Sequence, residues 1–154
     1  MKLKTLIAAF LLIGLAGSPL AALAQDRSDA RIEQPWARAS IGTSRPSAAY
    51  FTAENRGPVP VRIVGLETPV AGRAEIHRIA RNGDVLSMQP AGDIEILPGE
   101  RVTLAPGGLH VMLMKLKEPI IKGSTFPLVL RFSNGEQVEV VVPVLSPGAR
   151  GPDK

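Results

Sequence analysis

Two histidines and three of the four methionines of this 154-residue chain fall in one stretch: His77, Met88, His110, Met112 and Met114. Ten residues separate His77 from Met88, twenty-one separate Met88 from His110, and one separates His110 from Met112. Thioether sulfur and neutral imidazole are the ligands a soft monovalent ion such as Cu(I) accepts, whereas Mg, Ca and Mn take oxygen. Each residue also has an ordinary explanation. Methionine fills irregular gaps in a core, and histidine is commonly a half-buried polar residue. A core would be expected to scatter its methionines over several strands, and here none but Met1 lies outside the stretch. On the residues alone, soft-metal binding and packing stand as equal alternatives.

Other chemistries are easier to set aside. The chain has no cysteine, so it lacks the thiolate that a blue-copper electron carrier requires. No segment offers a convincing nucleophile with its base, paired carboxylates or a metal-activated water, so no enzyme is expected. The net charge of +4 falls to +2 once Lys2 and Lys4 are subtracted. No block of like charge remains, which does not suggest nucleic acid. The competing class is an exported, metal-free β-sandwich that uses its loops for protein contacts.

The elements that must position these residues begin after a leader. Lys2 and Lys4 precede an apolar run from Leu6 to Ala16, Ser18 and Pro19 break it, and Ala22-Leu23-Ala24 reads as a small-x-small cleavage site. Residues 1–24 are therefore expected to be removed as a signal peptide. The apolar run is shorter than the ~20 residues of a spanning helix, and no cysteine follows to carry a lipid. Export to the periplasm is expected. From Gln25 about 130 residues remain, enough for one domain with one core. Residues 25–145 should form that domain, and the Gly- and Pro-rich residues 146–154 a disordered tail.

Strand-like runs recur near Arg31–Ala39, Ala48–Asn55, Val59–Leu66, Ala74–Ile79, Val85–Met88, Glu100–Leu104, Leu109–Leu116, Thr125–Phe132 and Gln137–Val144. Turn residues separate them, including Asn82-Gly83-Asp84, Pro106-Gly107-Gly108 and Asn134-Gly135. Short strands at regular spacing predict an all-β antiparallel sandwich or Greek-key barrel. The hairpin at Asn134-Gly135 should turn Phe126, Leu128, Leu130 and Phe132 toward the same core as Val138, Val140, Val142 and Val144.

Strand parity then places the candidate ligands. Leu109, Val111 and Leu113 point one way, so His110, Met112 and Met114 point the other. His77 has the opposite parity to Ile76, with Ala74, Ile76 and Ile79 expected to pack. The Asn82-Gly83-Asp84 turn returns Met88 beside the His77 strand. A four-ligand site of His77, Met88, His110 and Met112 is compatible with this arrangement. Met114 shares this face one step further along, and reads either as packing beneath the site or, as the less favoured alternative, as a further ligand. Trp36 and Tyr50 are expected in the core or at its rim, and Glu75 and Glu95 at solvated strand positions.

The spacing H-x10-M-x21-H-x-M, with flanks Ala74-Glu75-Ile76-His77, Pro106-Gly107-Gly108-Leu109-His110-Val111-Met112-Leu113-Met114 and Leu116-Lys117-Glu118-Pro119, resembles the PCuAC-type periplasmic copper chaperones. Upstream, Trp36-Ala37-Arg38, Ala48-Ala49-Tyr50-Phe51 and Glu54-Asn55 look like that family's first strands, so the likeness runs from about Ile32 to Val144. It implies a single-domain cupredoxin-like or immunoglobulin-like Greek-key β-sandwich holding Cu(I) at an exposed edge. It also implies an acceptor, either the copper subunit of a cytochrome c oxidase or a Sco-type assembly protein, and a role in copper homeostasis. A monomer is expected, with a copper-bridged dimer as the variant. Two features depart from the family. No extra methionine follows His77, where Arg78 and Ile79 stand, and the tail has no His or Met for Cu(II).

Overall fold

The computed structural model describes residues 29–152 and shows ten strands. The expected leader and the start at Gln25 lie outside the described residues. In chain order the strands are β1 (Ala30–Arg38), β2 (Ser47–Asn55), β3 (Val61–Glu67), β4 (Ala71–Asn82) and β5 (Val85–Pro90), followed by β6 (Ile94–Ile96), β7 (Arg101–Leu104), β8 (His110–Leu116), β9 (Thr125–Phe132) and β10 (Gln137–Leu145). The sheet runs β5-β4-β8-β2-β1-β10-β9-β3-β6, with β7 also paired to β2. It closes on itself where Leu66 of β3 meets Ala74 of β4. The result is a cupredoxin-like all-β Greek-key fold, as the strand spacing and the resemblance implied.

Alternation along the strands fills the interior. Ala49, Phe51 and Ala53 of β2 and Val111 and Leu113 of β8 are buried together with Phe126, Leu128, Leu130 and Phe132 of β9 and Val142 and Val144 of β10. The β9–β10 hairpin has the register expected of it, with Leu130 opposite Val138, Leu128 opposite Val140 and Phe126 opposite Val142. Gly135 turns it at φ +86°, a conformation that costs glycine little. Val138 and Val140 are only partly buried, toward the turn of the hairpin.

Three departures concern the ends of elements. β6 was not expected, because three residues between Asp93 and Leu97 carry too little period to see. β4 is twelve residues long, beginning three before Ala74 and ending three after Ile79. The tail is tied back as far as Ala149: Arg38 Nε donates to the Ala149 carbonyl at 2.9 Å, and Ala149 N donates to Ser146 O at 3.1 Å.

β1 carries a bulge. Glu33 pairs with Thr52 but Trp36 with Tyr50, and Gln34 takes φ +49° to absorb the extra residue. The bulge sets Trp36 opposite Tyr50, where the rings stack at 4.4 Å between centroids. Both rings are buried. Neither ring belongs to the main core cluster, and Tyr50 lines a cleft with Met88, His110 and Met112.

Candidate metal centre

β4 and β8 are antiparallel neighbours, and their register puts His77 directly opposite His110, Glu75 opposite Met112 and Arg73 opposite Met114. Directly opposed residues project to the same face, so the outer face of this pair carries both histidines and both methionines of β8. Behind them Ile76 and Val111 face the core. The ring centroids of His77 and His110 are 6.2 Å apart and the planes meet at 68°. On the diagonal, His77 Nδ1 lies 2.7 Å from Met112 Sδ.

β5 adds Met88. It pairs with Ile79, two residues along β4 from His77, while Pro90 sits opposite His77 itself. This makes Met88 a diagonal neighbour of His77, a separation a methionine side chain can span. Ile79 therefore shares the face of His77 and lines the outer cleft instead of packing inward as expected. Met88 is 59 % exposed, whereas His77 and His110 are 6 % and 5 % exposed. The site is thus two buried imidazoles beneath a solvent-facing thioether.

The cleft that opens over it has a volume of about 430 Å³. Met88, His110, Met112 and Ile79 form one side, while Arg38, Arg45, Ala48 and Tyr50 contribute from β1, the following loop and β2. Ala48 pairs with Met112, and its small side chain leaves the thioether uncovered. Met114 stands two residues beyond Met112, across from Arg73, and does not line the cleft. Among the described residues no three His, Cys, Asp or Glu side chains cluster as metal ligands.

The two imidazoles are held differently. His110 Nδ1 is 3.1 Å from the Gly108 carbonyl. A carbonyl only accepts, so Nδ1 carries the proton and Nε2 is left with a lone pair. That Nε2 is buried with no hydrogen-bond partner among the described residues. A buried polar atom without a partner is uncommon and calls for an explanation such as a bound ion. His77 Nε2 lies 3.7 Å from Glu75 Oε2, and Glu75 in turn pairs with Arg73. Burial holds the His77 imidazole below its usual pKa, with Glu75 opposing and with His110 and Arg73 adding to the shift. The neutral, ligating form is thereby favoured.

Sequence reasoning missed Glu75 as a neighbour of the site, because it follows from the side-chain conformation at a strand position that reads as solvated. Arg38, Arg45 and Ala48 were missed as well, since cross-strand register brings them in. Glu95 pairs with Arg62 across β3 and β6, away from the cleft.

Comparison with known proteins agrees with this architecture. The family described as "Putative lipoprotein LpqE-like" matches residues 30–144. A protein of Leifsonia xyli subsp. xyli (strain CTCB07), named "Putative lipoprotein Lxx21020", is 32% identical over 149 residues, covering 92% of this chain and 89% of its own. The copper-bound PCuAC domain from PmoF2 superposes with a TM-score of 0.66 at 27% identity, covering 78% of this chain and 95% of that one. The solution structure of CuI-DR1885 from Deinococcus radiodurans gives 0.57 at 30% identity, covering 75% and 78%. With three quarters of its length matched by the family pattern, the chain belongs to the LpqE-like, PCuAC-related family and has its cupredoxin-like β fold.

Proposed function

We propose that the chain is an exported copper chaperone of the periplasm that binds one Cu(I) through His77, Met88, His110 and Met112 and releases it to an acceptor by ligand exchange. The observation that carries this reading is the buried, unpartnered Nε2 of His110 in a residue that lines the same cleft as Met88 and Met112. The likeness to domains that hold copper in PmoF2 and CuI in DR1885 supports it. Four neutral ligands leave the bound ion its +1 charge, and thioethers cannot form disulfides in an oxidising compartment, although they can become sulfoxides. Such a site is open to displacement by a thiolate, a ligand Cu(I) accepts readily. The copper subunit of a cytochrome c oxidase or a Sco-type assembly protein is the acceptor proposed, on the resemblance alone. Met114 is a supporting residue on β8 in this reading.

X-ray absorption at the copper edge tests the ligand set. Nitrogen and sulfur in comparable numbers around one Cu(I) is the expected shell, and a shell of oxygen and nitrogen without sulfur overturns it.

A further inference from the structure

We propose that the cleft beside the copper ligands is the docking site for an anionic, thiolate-bearing segment of the accepting protein, guided by Arg38 and Arg45. The inference rests on the copper reading above and adds the chemistry of the partner. Three observations carry it. First, the cleft's volume of about 430 Å³ is many times the ~30 Å³ share of one water in the liquid, so a bound ion leaves room for side chains of a second molecule. Second, its lining residues include two arginines, Arg38 and Arg45, and no Asp or Glu. Third, these arginines are without ion pairs among the described residues, as are Arg62, Arg78, Arg81 and Arg150 outside the cleft, whereas five others are paired. Arg31, Arg56 and Arg101 pair with Glu33 or Glu54, Arg73 with Glu75 and Arg131 with Glu67.

Arg38 is also held in place. Its Nε donates to the Ala149 carbonyl and its guanidinium lies 5.7 Å from the centre of the Tyr50 ring. A fixed, unpaired cation at the wall of a cleft is disposed to receive an anion. With Cu(I) bound, the cleft holds that positive charge as well.

The exchange balances without redox change. An acceptor cysteine loses its proton to solvent, and cationic surroundings favour the thiolate. The thiolate forms a Cu–S bond as the bond from copper to the exposed Met88 sulfur breaks, and copper remains Cu(I). The imidazole and Met112 bonds follow as further acceptor ligands arrive.

The test is the rate at which two thiols of similar size remove Cu(I) from the loaded full chain. One is 3-mercaptopropionate, which carries a carboxylate, and the other is cysteamine, which carries an ammonium. Arg45→Glu should slow removal by 3-mercaptopropionate about tenfold at low salt, a typical size for electrostatic steering, and leave cysteamine no slower. Arg45→Lys should keep the parent rate. Arg62→Glu, the same charge change on β3 and outside the cleft lining, should also match the parent. Equal slowing of both thiols by Arg45→Glu, or no slowing of either, overturns the docking proposal while copper binding stands. A parent chain that takes up no Cu(I) overturns both readings together.

Discussion

Glu75 shows how much of the proposed site is decided by single side chains. Its carboxylate lies 3.7 Å from His77 Nε2, while the other ring nitrogen, Nδ1, faces the Met112 sulfur. Carboxylates that orient a ligating histidine typically contribute ten- to a hundredfold in metal affinity. Glu75→Gln is therefore expected to weaken Cu(I) binding about tenfold with the fold intact, measured by chelator competition beside circular dichroism; unchanged affinity would contradict the role. The depressed His77 pKa sets the pH response. Ligation needs the neutral ring, so the His77 contribution to affinity should persist below the ordinary value of about 6.5 and be lost only as pH falls through the lower folded value. The same shift acts on stability. Below about 6.5 the unfolded chain protonates at this histidine before the folded one does, so its contribution declines as pH falls toward the folded pKa. Urea titrations of parent and His77→Gln between pH 7 and 5 should show a smaller decline in the variant. As candidate ligands, His77, Met88, His110 and Met112 were legible by type and spacing. Glu75 was not, because nothing in a strand pattern says which neighbour a solvated carboxylate will turn toward.

Among elements, the β4–β8 pair would separate copper chemistry from folding, since its outer residues include the proposed ligands and its inner ones belong to the core. Leu113, fully buried on the inner face of β8, and Met88, exposed on β5, should respond in opposite ways. Leu113→Ala leaves a cavity and should cost about 2–5 kcal/mol of stability. Met88→Ala removes little buried surface and should shift stability by less than about 1 kcal/mol, while weakening Cu(I) binding. Chemical denaturation with copper titration on both variants checks the pair; a Met88→Ala loss as large as that of Leu113→Ala would mean the thioether is packing after all. Most strands were readable because β-branched and apolar residues alternate between turn dipeptides. β6 was too short for any period, and Ile79 was misread from its apolar character although, two residues from His77 on the same strand, it must share that residue's face. The pairing of β4 with β8, thirty-three residues apart at His77 and His110, is long-range and can be inferred from sequence only as a possibility.

For the whole molecule, a barrel without cysteine must be stable before copper arrives. Val61, Ile96, Leu104, Leu128 and Val142 are among the side chains that fill its closed interior, so the fold does not need the ion as a staple. Ligand binding then adds stability only by mass action. Cu(I) should raise the melting temperature of the parent and not that of His110→Ala, with the same far-UV dichroism before and after loading. A large gain of β signal on loading would show instead that the site folds around the metal. The closed fold was legible as a class, whereas its closure through one pair, Leu66 with Ala74, was not. Nor did the Gly- and Pro-rich composition of the tail reveal the hydrogen bond from Arg38 to Ala149.

The most direct measurement is a Cu(I) competition titration of the parent against a chromogenic chelator, beside Met88→Ala and His110→Ala. One tightly held Cu(I) in the parent, weakened at least tenfold in each folded variant, is the predicted result. No binding by the parent, or variants that bind as tightly as it does, would contradict the account and favour a metal-free interaction module.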